Sequence, residues 1–438
     1  MPDSFSGPFL GRAGWLLHRI FASYWLLPLA GVLAALPLAY LLIHLDREGL
    51  TAWLLAQGLS PVSTADTAKD LVAVAVGVNA AFITLYFSIT LLVLTVASSN
   101  LGVRLVDRWL DKRLVRVSLA GLSFTLVFSI GTMAAIDGEA ELSGLPLAAI
   151  AAVIALQALN VVMLTVALHD LGRTIFIDRS INHLGKEAAK GPVAVCEGKA
   201  HDGAWAQTLT APREGYVEGN NLSRLARLLG EDGGKVRICA APGQHVLEGE
   251  PLMLLERECG ETDKLLDVLP IGNFRSDGQG AVFRIRLLVE IAARALSPAV
   301  NDFYTAISAS DRIAAAMAGQ MDSWVDDGAI PVWQDDQRFE LPGQDFRGLF
   351  EDPLNAFRQA ACQYPSVTIR MIDNYRRLIE KCVEQDRPEG LRRFIVQLAQ
   401  DLAEHAEACA GYECDKADIT AAFQRIAGPE GERRAETA

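Results

Sequence analysis

Residues 71–103 read LVAVAVGVNAAFITLYFSITLLVLTVASSNLGV, a run of 33 residues without one Asp, Glu, Lys, Arg or His. At about 1.5 Å per residue such a run reaches roughly 50 Å as a helix, whereas a hydrocarbon core is roughly 30 Å thick. Backbone N–H and C=O groups meet no water in that core, so the segment must satisfy them internally and be helical. Its excess length implies a strong tilt or, as favoured here, projection beyond the bilayer.

Three more uncharged runs lie at 25–43, 117–136 and 145–168, and none follows in the remainder of the 438 residues. Each is long enough to span, which predicts a four-helix transmembrane domain over 1–170. The first run exceeds the core of a signal peptide, and Arg12 and Arg19 precede an interfacial Tyr24-Trp25 pair, so it is read as a retained span. Leu50, Trp53, Leu54, Leu55 and Leu59 recur at helical spacing before Pro61, which predicts a short interfacial helix. Arg104, Arg108, Lys112, Arg113 and Arg116 crowd the link between runs two and three, while the next link carries only Asp137, Glu139 and Glu141. With Arg12 and Arg19 before run one, and Arg173, Arg179, Lys186 and Lys190 after run four, both termini are expected in the cytoplasm.

The chain carries 40 Lys and Arg against 53 Asp and Glu, a formal charge of -13, with most of the acidic excess after residue 170. Nucleic acid needs a basic face and is not an expected partner. All seven cysteines lie between Cys196 and Cys414 with no CxxC pair, so reduced structural thiols are expected. Cys409 with Cys414 makes no convincing metal site, and no metal and no cofactor are expected.

Because the runs lack titratable residues, the usual equipment of a proton-coupled carrier is missing. Their polar content is uncharged, including Asn79, Gln157 and Asn160. Gly77, Ala81, Thr84, Ser88, Thr95 and Ser99 keep to one helical face, and Ser118, Gly121, Thr125, Ser129 and Thr132 form a second seam in run three. Small residues let helices approach and hydroxyls bond across the contact, so either seam is explained by packing. The alternative is that the first seam lines a water-filled path in an oligomer, its hydroxyls partly replacing an ion's hydration shell.

A linking helix is expected over 170–190, and short apolar segments with turn residues over 192–256 predict a β-rich module. The order Ala211-Pro212, Gly215-Tyr216-Val217, then Gly243, Val246, Gly249 and Pro251-Leu252 predicts a barrel-sandwich-like form, with a helix inserted over 221–230. The linking helix and β module together take 171–265. A helical module with a β-hairpin, 329–333 against 338–341, takes 266–427, and a disordered tail follows over 428–438. Within that module Val282, Ile285, Val289, Ala292 and Ala293 make an apolar helical face ending at Ser297-Pro298, and Asn301 or Asp302 can cap the next helix. Further helices are expected from Pro353, Pro365, Glu389 and Asp415. The fold class is therefore a membrane α-helical bundle plus a cytoplasmic α+β region.

The stretch Arg294-Ala295-Leu296-Ser297-Pro298-Ala299-Val300-Asn301-Asp302, with Thr305-Ala306 after it, resembles the signature of bacterial membrane proteins of domain of unknown function family 2254. Phe87-Ser88-Ile89-Thr90, Ala97-Ser98-Ser99 and Gly215-Tyr216-Val217 also resemble that family, so the likeness covers most of residues 20–400. Family members usually have Pro after the Asn-Asp pair, where this chain has Phe303, and a proline at helix position N1 is replaceable. The resemblance implies a bacterial inner-membrane protein and this architecture, and supplies no activity.

Catalytic motifs are wanting. Gly233-Gly234-Lys235 lacks the leading Gly and trailing Ser or Thr of a phosphate loop, and His169-Asp170 stands alone at the end of a span. HExxH and GxSxG are absent, and the chain is not expected to be an enzyme. Arg294, Ser297, Asn301 and Asp302 are the candidate cytoplasmic ligand or partner site, with a cap-and-turn role as the structural alternative. The expected function is a homo-oligomeric channel or pore-like transport protein with a cytoplasmic regulatory domain. The alternative is a membrane-anchored scaffold or sensor that binds a cytosolic partner or ligand. Expected partners are the bilayer, further copies of the chain, and ions or a cytosolic protein.

Overall fold

The computed structural model describes residues 25–101, 113–174, 177–190, 194–275 and 279–435. These form two compact units, the second beginning at Ile177. The first holds α1 (Leu26–Leu45), the short α2 (Thr51–Ala56), α3 (Ala65–Leu101), α4 (Arg113–Ala134) and α5 (Leu147–Thr174). Four of its helical stretches are long and apolar enough to cross a membrane, and they coincide with the four uncharged runs. A π-helical turn, Asp46–Leu50, joins α1 to α2, and there Gly49 takes φ 125°, a conformation that side-chain-bearing residues avoid.

Helix α4 packs against α1, α3 and α5. Its contact with α1 is close because glycine permits it: a Cβ on Gly31 would stand 2.9 Å from the Ala120 carbonyl oxygen, and one on Gly131 would stand 3.3 Å from Ala39 Cβ. Ala35, Ala39, Ala68 and Ala149 fill the interior, while Leu33, Leu36, Tyr40, Leu91, Leu92 and Val162 point outward. An apolar exterior of this extent suits lipid.

The second unit opens with α6 (Ile177–Ala188), then alternates β1 (Val195–Gly198), β2 (Gln207–Thr210), β3 (Gly215–Val217), α7 (Leu222–Leu229), β4 (Val236–Ile238), β5 (His245–Val246), β6 (Pro251–Leu255), α8 (Thr262–Leu266) and β7 (Ile271–Gly272). It continues with α9 (Ala281–Ala295), α10 (Phe303–Gly319), β8 (Ile330–Trp333), β9 (Asp336–Glu340), α11 (Phe346–Ala361), α12 (Pro365–Glu384), α13 (Glu389–Cys409) and α14 (Glu413–Ala435). The last turns of α14 lie in residues read above as a tail. Helix α7 is the insertion expected before Gly230, with Asn221 accepting the Arg224 N–H as its cap.

The strands form a six-stranded sheet ordered β1-β8-β9-β4-β6-β2 and a three-stranded sheet ordered β5-β3-β7. The β8–β9 hairpin pairs as the sequence implied, yet it is hydrogen-bonded between β1 and β4 and so belongs to the larger sheet. Strand β4 needs a partner on each edge for its backbone groups, and β9 supplies one by the single parallel pairing among the described strands. That register sets Arg237 opposite Glu340, whose fully buried carboxylate accepts from Arg237 Nε at 2.6 Å and from the His201 backbone N–H. One core of Leu225, Val236, Ile238, Leu252, Leu255 and Phe339 lies beneath the strands.

Helix α11 begins at Phe346, capped by Asp345, and Pro353 lies inside it. The expected start at Pro353 is therefore wrong. Phe346, Leu349, Phe350, Leu354 and Phe357 make one buried face, and that continuous apolar repeat outweighs the missing proline N–H. Pro365 opens α12 at its first turn, and α13 starts at Glu389, both as expected.

Candidate functional site

The seam of α3 faces away from the bundle. Gly77, Thr84, Ser88 and Thr95 are exposed, and no other helix described in the unit covers them. Thr84 Oγ1 donates to the Ala80 carbonyl at 3.0 Å, Ser88 Oγ to Thr84 at 2.9 Å, and Thr95 Oγ1 to Leu91 at 2.8 Å. The hydroxyl donors are thus spent on the helix itself, and oxygen lone pairs remain to face outward. The side chain of Ser99 lies outside the described residues, as do Arg12, Arg19, Tyr24, Arg104, Arg108 and Lys112 and the side chains of Arg113, Arg173 and Arg179.

The seam of α4 does the opposite. Ser118, Thr125, Ser129 and Thr132 are buried, with Thr125 and Thr132 donating to the Gly121 and Phe128 carbonyls. Facing α5, Gly121 leaves room for Asn160, whose Oδ1 would be 3.4 Å from a Cβ at that position. Asn160 Nδ2 donates to Asn79 Oδ1 at 3.1 Å, joining α5 to α3 near mid-helix, and both residues are buried. Asn79 Nδ2 and both amide atoms of Gln157 are enclosed without a hydrogen-bond partner. A buried amide left so costs about 1–3 kcal/mol, which marks this carboxamide layer as more than filler. In the sequence its signal was only that each residue falls inside an uncharged run.

A second polar centre lies at the end of α1. Asp46 is 4 % exposed, and its carboxylate accepts the Ala148 and Ala149 N–H groups at 3.0 Å each and the Thr51 hydroxyl at 3.0 Å. Thr51 Oγ1 also lies 3.0 Å from the Leu145 carbonyl. A negative charge thereby meets the unpaired amides and positive dipole end of α5. Asp46 stands outside every uncharged run, and sequence spacing gives no hint of a partner a hundred residues away.

In the second unit, Arg294 lies in the last turn of α9, and Ser297, Asn301 and Asp302 follow in the turn that leads into α10. The Ser297 carbonyl accepts from Val300 and Asn301, and the Asp302 N–H returns to the Ala295 carbonyl at 2.8 Å. Asn301 sits at φ 49°, which asparagine tolerates, and Asp302 caps α10 through Thr305 N at 3.1 Å and Thr305 Oγ1 at 2.6 Å. Tyr364 Oη donates to the Leu296 carbonyl at 2.6 Å, and Arg294 pairs with Glu290 at 3.8 Å. Cap-and-turn geometry accounts for these contacts. Around the turn Val300, Phe303 and Tyr304 are exposed, the last at 72 %.

Two further polar groupings lie in the helical layer. Asp311 of α10 is partly desolvated, which raises its carboxyl, but hydrogen bonds from Arg370 at 2.8 Å and Asn374 at 2.9 Å prevail and hold it below the usual carboxylate range. Among the described residues, one group is arranged to hold a metal ion: Cys362, His405 and Cys409, whose ligand atoms all lie within 4.8 Å of one another. Burial, and then the neighbouring Cys409, push the Cys362 thiol up to about 11.

The family model described as "Predicted membrane protein (DUF2254)" matches residues 22–377. Uncharacterized proteins of Mycobacterium bovis and of Mycobacterium tuberculosis strain H37Rv are each 27% identical over 428 residues, covering 89% of this chain and 79% of their own. No solved structure gives a significant match. With four apolar helices and a matched region that reaches from the first span to α12, the chain belongs to the DUF2254 family of predicted membrane proteins.

Proposed function

We propose that the protein is a pore-like transport protein of the bacterial inner membrane, built from several copies of the chain. In this reading both termini and the second unit lie in the cytoplasm, where the unit regulates the path, its two sheets forming a barrel-sandwich-like base for the helical layer. The observation that carries the reading is the outward seam of Gly77, Thr84, Ser88 and Thr95 on the longest span. Hydroxyls that have already used their donors offer acceptor oxygens, which is what a partly dehydrated cation needs from a pore wall. The absence of Asp, Glu, Lys, Arg and His from the uncharged runs favours passive movement over proton coupling.

The test is accessibility joined to flux. Single cysteines at 84, 88 and 95, in a chain lacking its native cysteines, should react with a membrane-impermeant thiol reagent and block ion flux in liposomes. Cysteines at the outward positions 36 of α1 and 162 of α5 should do neither. Protection of the seam positions together with no ion flux under any voltage or tension would overturn the pore.

A second reading, a scaffold or sensor that binds a cytosolic protein, is favoured by Val300, Phe303 and Tyr304, which present apolar area around the α9–α10 turn. Partners captured by the full-length protein and lost in Tyr304→Asp, with flux unchanged, would favour it.

A further inference from the structure

We propose that Cys362, His405 and Cys409 bind a thiophilic divalent cation, with zinc the best fit, and so clamp the end of α11 to the last turn of α13. Each residue offers one ligand atom, and all three atoms lie within 4.8 Å of one another. In a tetrahedral zinc site with Zn–S of about 2.3 Å and Zn–N of about 2.0–2.1 Å, ligand atoms stand roughly 3.5–3.8 Å apart, so closing the triangle needs contraction of about 1 Å.

The placement supports coordination over chance. His405 and Cys409 are four residues apart on one helix and therefore on one face, as paired metal ligands on helices often are. Cys362 comes from the C-terminal end of a different helix and is buried, so it fixes one corner of the site. An independent observation concerns the imidazole. His405 Nδ1 is enclosed and has no hydrogen-bond partner, an expensive state for a ring nitrogen unless something else occupies it. Two sulfurs and an imidazole nitrogen select soft or borderline cations over magnesium or calcium, which take oxygen ligands. Three protein ligands leave a fourth tetrahedral position. Cys414, at the exposed start of α14, is not one of the three.

The chief competitor is a disulfide between Cys362 and Cys409. It would use the same two sulfurs, exclude the cation and leave the imidazole idle.

The test uses the full-length protein in detergent, stripped with chelator under reducing conditions and titrated with Co²⁺ and then Zn²⁺. Cobalt should give one equivalent per chain with a sulfur-to-metal charge-transfer band and the visible bands of a tetrahedral ion, and zinc should abolish both. In Cys409→Ser, a surface change that leaves the fold intact, the charge-transfer band should fall by about half, one thiolate of two being lost. Zinc affinity there and in His405→Gln should fall by more than about 100-fold, beyond the roughly 10–100-fold that outer-shell changes produce. Cys414→Ser should match the parent. Absence of the cobalt bands from the reduced parent would overturn the proposal. So would a band equally weakened by Cys414→Ser, which would mark adventitious thiol binding, or a Cys362–Cys409 disulfide mapped in protein prepared under the conditions of the cell.

Discussion

Phe339, Phe346, Phe350 and Phe357 have no exposed surface in the second unit, whereas the equally buried positions described in the membrane unit hold no aromatic ring, and Ala35, Ala68, Ala149, Thr125, Ser129, Thr132 and Asn79 stand there beside Val72, Leu147, Ile150 and Val153. On the outside the order reverses, with leucine, valine and tyrosine side chains covering α1, α3 and α5. The same chemistry explains both arrangements. In water, removing apolar area contributes about 25 cal/mol per Å², so the largest apolar side chains belong inside. In lipid that difference vanishes, because a leucine is as well solvated by acyl chains as by another leucine, and close backbone approach and internal hydrogen bonds decide instead. One chain therefore contains two interiors chosen by two solvents.

The largest expected effect lies in the water-facing interior. Phe350→Ala should destabilise the second unit by about 3–5 kcal/mol, since it removes a fully buried ring and leaves a cavity. Denaturant unfolding followed by the fluorescence of Trp324, which lies in the same aromatic cluster through Phe346, measures it. A loss below about 1 kcal/mol would mean that this core is as indifferent to bulk as the membrane interior, and the contrast would collapse.

The converse change belongs in the membrane unit. Gly131→Leu adds apolar volume where helix α1 approaches to within 3.3 Å of a would-be Cβ, so extra hydrophobicity should weaken the bundle by about 1–3 kcal/mol. Unfolding in mixed micelles is the measurement. Stabilisation would show that burial drives this interior after all.

How far these two interiors could be read from sequence differs in an instructive way. The four spans are legible because lipid imposes one simple demand, an unbroken uncharged run, although the helices do not stop where the runs do: α3 starts at Ala65 and α5 continues to Thr174. Local chemistry was legible too: Asp302 caps α10 by bonding to Thr305, three residues away. What escaped are contacts between distant residues of ordinary type. Asp46 finds its amides 102 and 103 residues later, and Asn79 finds Asn160 across 81 residues. The insertion of β9 beside β4 and the meeting of Cys362 with His405 and Cys409 are of the same kind, although His405 and Cys409 at helical spacing were a visible half of that site. Pro353 misled for another reason, because a local breaker lost to a buried apolar face.

Charge sharpens the comparison at a smaller scale. Asp311 is held below the usual carboxylate range against its own desolvation, mainly by Arg370 and Asn374. Its stabilising contribution is present above the unfolded carboxylate value and is lost as pH falls through the lower folded value. Arg370→Gln should remove part of it, about 1 kcal/mol at neutral pH given that both side chains are partly exposed, and should move acid unfolding of the second unit to higher pH. Coincident acid transitions in variant and parent would deny the pair any role.

The smallest effect is the most informative about the membrane unit. Asn160→Leu removes the hydrogen bond to Asn79 and turns a polar interior position into an apolar one. If water were the solvent, an isosteric apolar replacement of an incompletely satisfied amide would approach neutrality, and leaving Asn79 alone would be the only cost. In a bilayer the coupling measured by a double-mutant cycle with Asn79→Leu should be about 0.6 kcal/mol and no more than roughly 1.7 kcal/mol, the range of interhelical hydrogen bonds there. Coupling of that size accords with a packing role for the pair. A value near zero, with ion flux lost in both single variants, would mean that Asn79, Asn160 and the unpartnered Gln157 amide are kept for the path itself, and would shift the search for that path from the outward seam of α3 to the interior of each bundle.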